Sequence, residues 1–109
     1  MIPSSKNLVY ICIDPEGYRV FLEKDCWYGH ILKRHQKQMA HRLYDIKSTI
    51  ENPDDVVVKV ENGVQNRVYF KRWRHRDPYG QEYLKVPTEV VGDRTARILT
   101  AHPVATIPY

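Results

Sequence analysis

The period of apolar and polar positions changes twice along this chain, dividing it into three parts. Leu8 to Ile13 is apolar and partly β-branched, and Tyr18 to Leu22 is a second short run. Asp14-Pro15-Glu16-Gly17 lies between them with turn chemistry, so the first fifth predicts a β-hairpin.

A helical period follows. Asp25 is placed to cap a helix N-terminus just before the apolar pattern starts. Trp27, Ile31 and Gln38 share one side, with Tyr28 and Leu32 beside them. His35 falls one turn after Ile31, on or beside the buried face. His30 and Arg34, four residues apart, neighbour each other on a flank. A second stripe, Met39, Leu43, Ile46 and Ile50, predicts another helix. It should stop at Asn52-Pro53-Asp54, because proline disfavours helix in the residue before it.

The remainder alternates as strands do. Asp55 to Val60 predicts a strand, and Glu61-Asn62-Gly63 a hairpin turn of the favoured kind. Val68 to Arg74, Glu82 to Val90 and Thr95 to His102 predict three more strands. Asp77-Pro78-Tyr79-Gly80 and Gly92-Asp93 are the turns between them. Pro87 calls for an edge position or a bulge in its strand. The expected fold class is α+β: an N-terminal hairpin and helices packed on one face of a four-stranded antiparallel sheet. The opposite face is then free to hold a site.

Composition narrows the class. A length of 109 residues fits one domain, and 42% hydrophobic with 28% charged residues is globular rather than disordered. No apolar run approaches the roughly 18–20 residues that cross a bilayer, and the first residues lack the apolar core of a signal peptide. A cytoplasmic location is the expectation, with no membrane partner. Cys12 and Cys26 lie far apart with no CxxC pairing, so neither a zinc site nor a disulfide framework is indicated.

Charge changes the picture more by its placement than by its total. The net charge of +4 makes an anionic partner reasonable. Between Arg67 and Arg76, the cations Arg67, Lys71, Arg72, Arg74 and Arg76 interleave with Tyr69, Phe70 and Trp73. That mixture suits phosphate contact together with base stacking. The chain has no Gly-rich phosphate loop, no GxSxG elbow and no metal-spaced cluster of His, Cys and Asp. His30 and His35 are five apart, the wrong spacing for two metal ligands on one helix face. Neither a metal nor a cofactor is expected.

Five short pieces occur in order: Trp27-Tyr28-Gly29-His30-Ile31-Leu32-Lys33-Arg34-His35, then Ile46 to Ile50 leading into Asn52-Pro53-Asp54, then Tyr69-Phe70-Lys71, then Tyr83-Leu84-Lys85-Val86, and last Ile98-Leu99-Thr100-Ala101-His102-Pro103. Together they resemble the phage-associated nuclease-like domains of the barnase–EndoU–colicin–RelE superfamily, over roughly residues 20–103. The resemblance implies an RNA-cleaving fold that acts without metal, often as a toxin or effector domain. It also leads one to expect an aromatic hydroxyl near the end of the last strand, where this chain carries His102.

Metal-free RNA cleavage needs a base for the 2′-hydroxyl proton, an acid for the leaving 5′-oxygen and cations for the phosphorane oxygens. His30 matches the histidine of the helix motif and is the first catalytic candidate. Strand alternation sets Tyr83, Lys85 and Pro87 against Leu84, Val86 and Thr88, and the second set reads as core, so Lys85 projects into the open side. Thr100 and His102 match the terminal motif, with His102 the second proton carrier. Arg34, His35, Tyr69, Lys71, Arg72, Arg74 and Tyr83 are the candidate RNA and phosphate contacts. In the strand holding Tyr69 and Lys71 both faces carry cations, so periodicity does not choose between them. The expected function is therefore a metal-independent endoribonuclease with RNA as its partner and a neutralising protein as a further one. An RNA-binding module without cleavage and a toxin-fold protein-interaction domain are the alternatives.

Overall fold

The computed structural model describes residues 2–72 and 81–107. After a short 3-10 turn at Ser5–Asn7, strands β1 (Leu8–Ile13) and β2 (Arg19–Glu23) form the expected hairpin. Its turn is built by Asp14, whose carboxylate accepts the backbone N–H groups of Glu16 and Tyr18. Gly17 follows with φ +87°, a conformation open to glycine and strained for other residues.

The helical run that follows is not a single α-helix. A short α1 (Lys24–Cys26) leads into a π-helical turn at Trp27–Ile31 and then α2 (Leu32–Met39). Asp25 lies inside the first turn rather than at the cap; Glu23 precedes the helix and makes no side-chain cap bond. The expected apolar side holds, since Trp27 and Ile31 are buried. Met39 ends α2 instead of opening the next helix, and α3 spans Leu43–Glu51 with Asn52 as its C-terminal cap. Among the described residues no helix is long and apolar enough to cross a membrane.

The sheet differs most from expectation. Strands β3 (Asp55–Glu61), β4 (Val64–Arg72), β5 (Tyr83–Gly92) and β6 (Thr95–Ile98) form the antiparallel meander. The N-terminal hairpin does not pack on it as a separate layer. It extends the sheet, because β2 pairs in parallel with β6 through Arg19–Thr95, Val20–Ala96 and Phe21–Arg97. The result is a mixed seven-stranded sheet in the order β1-β2-β6-β5-β4-β3, with β7 (His102–Val104) also paired to β5. The physical reason lies in Val20-Phe21-Leu22, a run buried on both faces. An unbroken apolar run suits an interior strand, whereas an outer hairpin would alternate.

The helices pack on one side of this sheet. Ile46 and Ile50 of α3 join Val20, Leu22, Trp27, Ile31, Tyr69, Leu84, Val86 and Ile98 in the main core. The other side is not bare. Register places Phe21 beside Arg97 and Phe70 beside Lys85, and both phenylalanines are buried there. The predicted strand end at Trp73 and Arg74, the cations Arg74 and Arg76, and the turn predicted at residues 77–80 lie outside the described residues.

Candidate active site

The site is created by a break opposite Pro87. Proline has no N–H to offer a neighbouring strand. The Pro87 carbonyl accepts the Leu99 N–H, so this is also the side on which the missing donor lies. There the last strand is interrupted: β6 ends at Ile98 and β7 starts at His102. Thr88 pairs with Ile98, and Lys85 pairs with His102. Four steps of chain on one side thus oppose three on the other, a one-residue bulge. Pro87 is therefore interior, between β4 and this break, rather than on an edge strand.

The bulge decides which way His102 faces. In a continuous strand it would share the core side with Ile98. The extra residue turns it to the opposite side, where it stands directly across from Lys85. Lys85 alternates with buried Leu84 and Val86, as the sequence predicts. The thiol of Cys26 donates to the carbonyls of Ile98 and Leu99 and ties the start of the helical run to the break.

α2 meets β7 and brings to it His35. Its backbone leaves helical geometry (φ −131°, ψ 32°), bending α2 where it meets β7. The π-helical turn just before it holds His30 and shifts the phase of the helix, a device recurrent at functional sites. The imidazoles of His35 and His102 stack with centroids 5.0 Å apart and an interplanar angle of 21°.

The electrostatics of the group run one way. Burial, then the nearby charges of His35, Lys85 and His30, lowers the pKa of His102 below the ordinary histidine value. Burial, then His30 and Arg34, lowers that of His35 in the same sense. Both shifts disfavour the charged form of the rings. Nδ1 of His102 and Oγ1 of Thr100 are buried with no hydrogen-bond partner among the described residues. Both atoms keep hydrogen-bonding capacity that the described residues do not use.

The predicted residues thus separate. His35, Lys85 and His102 come together, His30 and Arg34 lie near enough to act on the charge of the rings, and Thr100 precedes His102 in the chain. Tyr83 shares the Lys85 side, across from Arg72 and Val104. Arg72 is exposed and paired with Glu82 at 3.4 Å. Tyr69 and Lys71 are not part of this group. Their partners across the sheet, Val86 and Leu84, point into the core, so both face the helices. Tyr69 is fully buried, and Lys71 donates to the carbonyl of Asn52 at the end of α3. Arg74 lies outside the described residues.

One polar group escaped the sequence reading. The Asp14 carboxylate, besides building its turn, accepts from Arg67 at 3.0 Å and from the Tyr69 hydroxyl at 2.6 Å. Arg67 also pairs with Glu16 at 3.2 Å and lies 4.1 Å over the Tyr18 ring. Burial pushes the Tyr69 hydroxyl well above its ordinary range, so it stays protonated and donates. The apolar neighbours of Arg67 were the available signal, since a cation within Val64 to Phe70 needs a buried partner.

Two concavities flank these groups. One, of about 400 Å³, follows the bend of α2 and is lined by Lys33, Arg34, His35, Gln36, Lys37 and Gln38. The other, of about 260 Å³, lies on the helix side between α3 and the ends of β4 and β5, with Tyr44, Ser48, Asn52 and Lys71 on its walls. Of these two, only the first shares a residue, His35, with the histidine cluster. Among the described residues no group of three or more His, Cys, Asp or Glu is placed to hold a metal ion. No protein-family model matches the chain, and no curated protein or solved structure matches it.

Proposed function

We propose that this chain is a metal-independent endoribonuclease that cleaves RNA by attack of a 2′-hydroxyl on the adjacent phosphodiester. The observation that carries the reading is the His35–His102 stack with Lys85 directly across from His102. Neutral His102 takes the 2′-hydroxyl proton as the 2′-oxygen attacks phosphorus. His30 donates a proton to the 5′-oxygen as the P–O5′ bond breaks, leaving a 2′,3′-cyclic phosphate. Lys85 balances the charge of the phosphorane, and Arg34 holds a non-bridging oxygen. His35 positions the His102 ring.

The lowered histidine pKa values fit this scheme in a specific way. Burial is the first cause of the lowering and the neighbouring charges the second; an arriving phosphate opposes the second, so substrate binding raises the proton affinity of the same rings that must exchange protons.

The test is RNA cleavage in excess chelator, with the products resolved by end chemistry. Wild type should yield 2′,3′-cyclic phosphate ends, and Lys85→Ala and His102→Ala should each lower the rate by about 10²-fold or more while RNA still binds. RNA bound without cleavage at any pH from 5 to 8 would leave an RNA-binding module. Cleavage unchanged in the Lys85→Ala/His102→Ala double variant would remove the mechanism.

A further inference from the structure

The two edges of the sheet are not alike. β1 closes one edge and carries a bulge between Leu8 and Tyr10, an irregularity that disfavours pairing with another strand. β3 closes the other, and its pairing with β4 runs unbroken from Asp55–Phe70 to Glu61–Val64. It reads Asp-Val-Val-Val-Lys-Val-Glu, with Val58 47% and Val60 68% exposed.

Two observations fix which backbone groups this edge offers. The two-residue turn Asn62-Gly63, both residues at positive φ, makes Glu61 and Val64 a hydrogen-bonded pair. Alternation then directs the odd-numbered residues of β3 to β4 and turns Val56, Val58 and Val60 outward. Consistently, the Val56 N–H is accepted by the Asp55 carboxylate instead of by β4.

We propose that β3 pairs with β3 of a second copy of this chain, antiparallel, about a two-fold axis at Val57. Residues opposite each other must share a face, which restricts the axis to residue positions. With the axis at Val57, Asp55 meets Lys59 of the second copy, twice by symmetry, and Val56 and Val58 pair as outward hydrogen-bonding partners. An axis at Val58 sets Asp55 against Glu61 twice. An axis at Lys59 sets the two lysines face to face. An axis at Val56 leaves every charge unmatched. An axis at Val60 also sets Lys59 against Glu61 twice, but it pairs only residues 59–61 of β3, whereas the Val57 axis pairs residues 55–59. Opposite charges across strands stabilise and like charges destabilise, so charge and overlap together select the Val57 register. On pairing, the Asp55 carboxylate exchanges the Val56 N–H for Lys59 of the second copy. The sheets become one, and because the axis is normal to the sheet, both histidine clusters emerge on the same side. This inference does not depend on the activity of either cluster.

Sedimentation equilibrium of the full chain from micromolar to millimolar protein tests it. Wild type should dimerise reversibly, and Lys59→Glu should weaken the dimer by about tenfold or more, since two attractions become two repulsions. Asp55→Lys alone should do the same, and the charge-swapped Asp55→Lys/Lys59→Glu variant should recover the dimer. Independently of any variant, amide exchange at Val56 and Val58 should slow as wild-type concentration rises. A wild type that is monomeric throughout overturns the proposal and leaves the edge to a strand of a different protein. A dimer indifferent to Lys59→Glu overturns it as well.

Discussion

Two partly buried polar groups sit in this fold, and they are built on opposite principles. Around Asp14, each charge meets its complement: Arg67, the Tyr69 hydroxyl and two backbone amides converge on one carboxylate. Around His102, the described residues that act on its charge are His35, Lys85 and His30, each of which lowers its pKa. The first group is complete within the protein and has nothing left to offer a ligand. The second lowers the proton affinity of its own members and holds a buried nitrogen that has no hydrogen-bond partner among the described residues. Burial of polar groups does not by itself distinguish the two; complementarity of the partners does.

The contrast breaks most sharply under substitution. Arg67→Ala strands a buried carboxylate and should lower unfolding free energy by about 3–5 kcal/mol. His102→Ala, which removes a ring disfavoured in its charged form, should cost no more than about 1 kcal/mol. Urea unfolding of both variants measures the gap, and comparable losses would mean the cluster is structural too. For RNA cleavage the order should reverse, with His102→Ala losing about 10²-fold and folded Arg67→Lys keeping most of its rate.

Titration sharpens the comparison further. NMR should place the His35 and His102 midpoints below the ordinary 6.5 and show them rising when inorganic phosphate is added. The sign for stability follows. A folded-state pKa below the unfolded value means that the unfolded chain binds protons first as pH falls. The stability associated with these two rings is thus full above pH 6.5 and is lost as pH drops through their folded midpoints. In His35→Phe/His102→Phe that part of the acid sensitivity should vanish.

The smallest effect on stability belongs to Pro87→Val. It restores a backbone donor at the break and should change unfolding free energy by about 1 kcal/mol or less. If the donor draws β6 through the break, cleavage should fall well beyond what that change accounts for. Rates and melting curves recorded together would show the disproportion.

Much of this was legible from the residues. The hairpin, the helix stop at Asn52-Pro53, the Asn62-Gly63 turn and the outward direction of Lys85 follow from local chemistry and period. The helical phase also set His35 near the buried side, where it meets β7. What was not legible depends on distant partners. The parallel pairing of β2 with β6 joins segments far apart in the chain, and only the doubly apolar Val20-Phe21-Leu22 hinted at it. The face of Tyr69 and Lys71 was undecidable because cations occupy both sides of β4, and register with β5 settled it. Counting along a continuous strand from Thr95 to His102 sets His102 on the side of Ile98, and the bulge opposite Pro87 reverses that. The signal for that reversal was present in Pro87, but its meaning required knowing that β5 is interior.

The bulge between Ile98 and His102 also sets how this chain could change by gain or loss of residues. Deleting one residue from Leu99 to Ala101 would restore a continuous strand and rotate His102 into the hydrophobic core. Removing two would preserve its side while shortening the reach to Lys85. Length in this short segment is therefore held by parity, and its composition is freer than its count.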